Sequence, residues 1–205
     1  MIESYENALQ VFVLLACVSV SLYRSTRYRS RTWALLSFFY GSWLLGDLYW
    51  QACLLFYNSS PRLPVVSDLS WYAGYMFLYM LLRQTAPPEA GKRKTRLAWL
   101  APVFTFGMAA YYMQYGQILS NILYASLMGL LVFSAIRRLA DGETYRAQRF
   151  LCLCVLLFVT AEYGMWTMSC IFVGDTIRNP YYWFDILMTV SFPFFLTATR
   201  KAVAA

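Results

Sequence analysis

Two carboxylates stand deep inside long apolar runs of this chain: Asp47 in Leu45-Gly-Asp-Leu-Tyr-Trp50 and Glu162 in Ala161-Glu-Tyr-Gly-Met-Trp166. An ionisable group at the centre of a membrane helix costs about 2.5–3.5 kcal/mol on insertion scales, so it normally faces a bundle interior or a watery cavity. Each acid lies about ten residues, or roughly 15 Å, from the outer end of its run. Neither has a lysine or arginine within one helical turn. Residues at i, i+3, i+4 and i+7 share a helix face. Trp43, Asp47, Trp50 and Leu54 therefore form one stripe, Phe158, Glu162, Trp166 and Cys170 a second, and Asp68, Tyr72, Tyr75 and Tyr79 a third. Together they predict an outward-opening pocket floored by carboxyls and walled by Trp and Tyr, suited to a cation or an amphipathic organic ligand. The candidate ligand-binding residues are Asp47, Trp50, Tyr72, Tyr75, Glu162, Trp166 and Asp185.

Plainer roles compete for several of these residues. Tyr and Trp collect at bilayer interfaces whatever a protein does, which alone would place Trp71, Tyr72, Tyr181, Tyr182 and Trp183. Asp68 follows Ser67 at a helix start, where a carboxylate satisfies free backbone N–H groups, so it is read as a cap. Asp185 sits a few residues inside its run and is either interfacial or a ligand contact.

The chain has no histidine, which rules out a histidine-based metal site or triad. Cys152 and Cys154 would point about 200° apart on a helix, poor geometry for joint metal binding, and are read as packing or lipid-facing residues. Cys53 and Cys170 lie at equivalent depths and could pair only in an oxidising exterior. No metal or cofactor is expected.

The elements that must hold these groups are membrane helices. Of 205 residues, 60% are hydrophobic, 19% aromatic and only 13% charged, against about 25% charged in soluble domains. Apolar windows place seven spans near residues 5–23, 32–57, 68–84, 97–114, 116–136, 149–173 and 181–199. The fourth and fifth are separated only by the Tyr111 to Gly116 stretch. Lysine and arginine in short loops mark the cytoplasmic side. Arg24, Arg27, Arg29 and Arg31; Arg83, Lys92, Arg93, Lys94 and Arg96; Arg137, Arg138, Arg146 and Arg149; and Arg200 and Lys201 make fifteen of the 17 basic residues on one side. Only Arg62 and Arg178 remain for the other. An odd number of spans with the N-terminus outside and the C-terminus in the cytoplasm produces this segregation. The net charge of +7 is thus explained by the membrane and not by nucleic acid.

Glu3 and Glu6, with no positive charge before the first run, make a poor n-region for a cleaved signal, so the first span is expected to stay. Asn58-Ser59-Ser60 fits a glycosylation sequon, which matters only in a eukaryotic source. The Pro- and Gly-containing linker from Thr85 to Arg96 is assigned no fold. One transmembrane domain over residues 1–205 is expected, with no room for a separate soluble one.

A self-similarity runs through the chain. Asp47, Trp50, Cys53, Arg62 and Asp68 recur as Glu162, Trp166, Cys170, Arg178 and Asp185, and the two outer acids of each copy lie 21 and 23 residues apart. This suggests parallel repeats over 5–84 and 116–201 joined by a helix at 97–114, a three-plus-one-plus-three layout of the kind transporters use with sites at the repeat interface.

The combination Gly46-Asp47-Leu-Tyr-Trp50 and Ser67-Asp68-Leu-Ser-Trp-Tyr-Ala-Gly-Tyr75 resembles the seven-helix membrane input regions of bacterial signalling proteins, such as diguanylate cyclases and histidine kinases. The likeness covers most of the chain in topology and these two stretches in residues. Those families carry an output domain after the last helix, whereas this chain ends shortly after Arg200. The resemblance therefore implies a sensor that signals to a separate cytoplasmic partner. A retinal protein is disfavoured because the seventh span lacks a lysine.

The expectation is a non-enzymatic, sensor- or receptor-like protein of a bacterial inner membrane, binding a small molecule or cation. The alternative is a small secondary transporter or transport accessory subunit that uses Asp47 and Glu162 for proton or cation coupling. An intramembrane lipid-modifying enzyme is a third reading, weakened by the lack of histidine and of a paired-carboxylate signature.

Overall fold

The computed structural model describes residues 2–61, 63–86, 95–140, 146–172, 174 and 176–204. Every regular element among them is helical: α1 (Ile2–Tyr28), α2 (Arg31–Tyr57), α3 (Val65–Gln84), a 3-10 turn (Arg96–Trp99) leading into α4 (Leu100–Tyr112), α5 (Ile118–Leu139), α6 (Arg146–Ile171) and α7 (Pro180–Ala204). Each sequence-expected run coincides with one helix. Most helices extend past the run by several residues, because α-helical hydrogen bonding continues beyond the last apolar side chain. Arg62, the segment 87–94 with Lys92, Arg93 and Lys94, and the loop 141–145 lie outside the described residues.

Four helices are long and apolar enough to cross a membrane: α1, α3, α5 and the Gln148–Ile171 part of α6. The other three differ for separate reasons. At 27 and 25 residues, α2 and α7 have the length, roughly 40 Å each. Their Trp, Tyr and acidic residues, however, replace the aliphatic side chains that score as lipid-soluble. With 13 residues, α4 extends about 20 Å and falls short of the roughly 30 Å hydrocarbon layer. Large apolar side chains face outward along the bundle, Phe12, Val103 and Leu119 among them at about 70% exposure. A water-soluble domain does not present such a surface. Spanning-length helices with an apolar exterior are the features of a membrane protein.

Six helices form a ring. Neighbours along the chain pack as hairpins, α1 with α2, α2 with α3 and α6 with α7, while α3 meets α5, α5 meets α6 and α7 returns to α1. α4 lies outside the ring against α5. The α1–α2 corner is tight: Arg29 takes a left-handed conformation at φ 47°, and the Ser30 N–H reaches back to the Ser25 carbonyl at 3.2 Å, a Schellman-type closure. Asn58 ends α2 in the same way, at φ 50° with its N–H on the Leu54 carbonyl. The buried Arg138 of α5 donates to the Leu82 carbonyl near the end of α3, tying the two helices at the basic end.

The centre of the ring is aromatic. Phe39, Tyr40, Trp43, Tyr75, Phe158, Phe192 and Phe195 are essentially inaccessible. Trp43 lies 5.3 Å from Phe158 and 5.7 Å from both Tyr75 and Phe192, and Phe39 lies 5.4 Å from Phe195. In lipid the hydrophobic effect does not drive helices together, so this close packing and interhelical hydrogen bonds must hold the ring. Ser21 and Ser37 satisfy their buried hydroxyls within their own helices, on the Cys17 and Trp33 carbonyls. Tyr40 instead crosses the bundle and donates to the Phe192 carbonyl at 2.7 Å, next to Pro193 inside α7.

All five cysteines are free. Cys53 and Cys170 do not pair, and Cys152 and Cys154 are buried packing residues with no lipid exposure.

Candidate functional site

A cavity of about 440 Å³ opens at one end of the ring. It is lined by the first turns of α1, α3, α5 and α7 and by the last turns of α2 and α6. The basic helix ends, with Arg27, Arg31, Arg83, Arg137 and Lys201, belong to the opposite end.

Four carboxylates reach the cavity from four helices: Asp47 from α2, Asp68 from α3, Glu162 from α6 and Asp185 from α7. Each is oriented by donors from another segment. The Trp71 indole N–H donates to Asp47 Oδ1 at 3.2 Å. Glu162 Oε1 accepts both the Tyr75 hydroxyl at 2.6 Å and the Trp166 indole N–H at 3.1 Å. Gln10 Nε2 donates to Asp185 Oδ1 at 3.2 Å, and Ser120 Oγ to Asp68 Oδ2 at 3.3 Å. The second oxygens of Asp47 and Glu162 are buried with no hydrogen-bond partner, although both residues are only 2% exposed. Among the described residues, no lysine or arginine lines the cavity. Two acceptors are therefore held in place and left open, in surroundings where an uncompensated carboxylate is costly. Among the described residues, no three of Asp, Glu and Cys converge as a metal ion would require.

The rest of the wall is aromatic. Trp71 lies between Trp43 and Trp50, with ring centroids 5.9 and 6.0 Å away, and Trp166 lines the same cavity from α6. Gly46 makes the Trp71 position possible: a Cβ there would stand 2.6 Å from the indole nitrogen. Gly74 likewise leaves room for Trp43, whose Cδ1 would lie 2.6 Å from an added Cβ. A Gly46→Ala substitution is expected to push Trp71 off Asp47 and shift the tryptophan emission maximum. Thermal unfolding should move little, since alanine's gain of about 1 kcal/mol in helix propensity offsets the local repacking.

Of the sequence-predicted residues, Asp47, Trp50, Glu162, Trp166 and Asp185 are brought together at the cavity. Tyr72 and Tyr75 stand behind the wall. Tyr75 is fully buried and supports Glu162 from below, and the Tyr72 hydroxyl meets Ser120 Oγ at 2.6 Å, which in turn holds Asp68. The floor is also different from the expectation. Trp43 and Phe158 each precede an acid by one helical turn on the side away from the mouth, so rings form the floor and the carboxyls form the wall.

Asp68 is not a cap. Pro64 holds that position without a side-chain hydrogen bond, and Asp68 lies one turn inside, turned to the cavity. Asp185, at 3% exposure, is buried and not interfacial. The interfacial reading suits Trp183, which is 58% exposed, but not Trp71.

The contribution of α1 was missed altogether. Glu6, Asn7 and Gln10 are buried; Asn7 and Gln10 line the cavity, and Glu6 lies against Asp185. Their signal was available: three polar residues within one turn, in helical phase with Leu14, Cys17 and Ser21. Trp50 also reaches this helix, its indole N–H donating to Glu3 Oε1 at 3.1 Å. No family model, curated protein or solved structure matches this chain.

Proposed function

We propose that this protein is a seven-span membrane receptor that binds a small organic cation in the acidic, aromatic cavity. The observation that carries this reading is the pair of buried, unpartnered oxygens on Asp47 and Glu162, in a cavity walled by indoles and, among the described residues, lined by no basic side chain. An ammonium group would supply the missing donors and charge, and tryptophan faces attract cations by about 0.5–2 kcal/mol. The volume falls in the range of small-molecule sites. Dispersed carboxylates suit an organic cation better than a bare metal ion, which demands converging ligands.

In this reading the cavity end faces outward and the basic end meets the cytoplasm of a bacterial inner membrane, as the charge pattern favours. The signal passes to a cytoplasmic output element, in keeping with the resemblance to bacterial sensor input regions.

A second reading, a small cation or proton-coupled transporter, is favoured by the ring itself. If α1–α3 and α5–α7 are parallel repeats, a two-fold axis along the bundle exchanges the α3–α5 contact with the α7–α1 contact, and both contacts are present.

Titration of the detergent-solubilised protein with tetraethylammonium and alkylammonium ions is the test. The expected result is saturable quenching of tryptophan fluorescence and thermal stabilisation of about 2.7 kcal/mol at a hundredfold excess over Kd, both reduced at the same ligand concentration in Asp47→Asn. Binding without uptake into proteoliposomes supports the receptor, whereas uptake abolished by Asp47→Asn and Glu162→Gln establishes the transporter. Absence of binding by every ammonium ion overturns both.

A further inference from the structure

We propose that the ligand is a linear aliphatic diamine or polyamine, held by an ammonium group at each end; this rests on the cation-binding reading above and makes it specific. The argument is one of placement. Going round the ring in the order α1, α2, α3, α5, α6, α7, the helices α2 and α6 stand three places apart, as do α3 and α7. Asp47 and Glu162 therefore reach the cavity from helices that are not neighbours in the ring, and so do Asp68 and Asp185.

Asp47 and Glu162 each use one oxygen for indole or phenol donors, Trp71 and Tyr75 of α3 among them, and leave the other buried and open. A single ammonium group brings one positive charge to two such carboxylates and leaves the second charge uncompensated in a buried site. A dication with a methylene chain satisfies both. The indoles of Trp43, Trp50, Trp71 and Trp166 give the chain an apolar lining between the charged ends. The similar acid-and-indole equipment of the two sides also suits a ligand whose two ends are alike.

Isothermal titration of the full chain in detergent micelles with n-butylamine, putrescine and spermidine tests the proposal. Putrescine or spermidine is expected to bind roughly tenfold to a hundredfold more tightly than n-butylamine, the worth of one additional charge-assisted hydrogen bond. Asp47→Asn and Glu162→Gln should each reduce diamine affinity to the level of the monoamine, since either change leaves only one of the two buried, open carboxylate oxygens. Both variants keep a carbonyl oxygen for the existing indole and phenol donors, and the wild-type preference stands as a measurement on its own. Equal affinity for n-butylamine and the diamines overturns the dication proposal and leaves the cation-binding reading intact. Failure of all three amines, with tetraethylammonium binding retained, likewise overturns only the dication. Failure of every ammonium ion overturns both.

Discussion

Replacing Glu162 by glutamine is expected to weaken cation binding by roughly a hundredfold while the fold survives. A hydrogen bond to a charged group contributes about 1.5–3 kcal/mol, and at a site with 2% exposure the upper part of that range applies. The amide keeps a carbonyl oxygen to accept from Tyr75 and Trp166, the two donors that Glu162 Oε1 now serves at 2.6 and 3.1 Å. What changes is the open position. The buried, unpartnered Oε2 becomes an N–H₂ group, which presents hydrogens to an incoming ammonium instead of an acceptor. Glu162→Ala behaves differently, because it strands a buried phenol and an indole N–H at about 1–3 kcal/mol each. Thermal unfolding should therefore separate the two variants: near-native for glutamine, clearly lowered for alanine. Binding titrations should show both to be defective. A glutamine variant that binds as tightly as the wild type would remove Glu162 from the site.

The largest loss of stability is expected from Trp43→Ala. The indole is 2% exposed and touches rings from three other helices, Trp71 and Tyr75 of α3, Phe158 of α6 and Phe192 of α7, at centroid distances of 5.3–5.9 Å. Truncation of a buried tryptophan costs about 3–5 kcal/mol, and a bundle held by packing has no hydrophobic term to make up the difference. For a chain of this size that lowers Tm by roughly 10 °C. Trp43→Phe, which keeps a ring against Phe158 and Phe192, should recover most of the loss. The same truncation also thins the layer that separates the cavity from the basic end. If α2, α3, α6 and α7 are sealed there by these rings, Trp43→Ala proteoliposomes should leak small cations that wild-type vesicles retain. A Trp43→Ala protein with unchanged thermal unfolding would mean that the aromatic centre is not what holds the helices together.

The elements themselves were legible in the sequence because hydropathy is a local property. Each apolar run became a helix, down to the interruption at residues 113–117 that separates α4 from α5. Asp47 and Glu162 were legible for a related reason. A charged side chain in an apolar run has few tolerable surroundings, so its presence alone predicts an interior. Asp68 was misread because a helix-start acid has a sufficient local role, and nothing in its neighbours reveals that Ser120 of α5 turns it inward. Trp71 was misread because interfacial tryptophans are common, and only the missing side chain of Gly46 on another helix lets this one lie against Asp47.

By itself the sequence determined the class of molecule: an all-helical membrane protein with two interior acids and its positive charge gathered between the apolar runs. Those follow from residue type and order, which govern burial in lipid and helix periodicity without reference to other segments. The tertiary structure alone decided which acids meet and what orients them. Gln10 holds Asp185 across 175 positions of chain, and Tyr75 holds Glu162 across 87. The order of helices round a ring depends on how whole surfaces fit, and local periodicity carries no record of a partner so far away. That order put Asp47 and Glu162 on one cavity and brought the first turns of α1 into the wall.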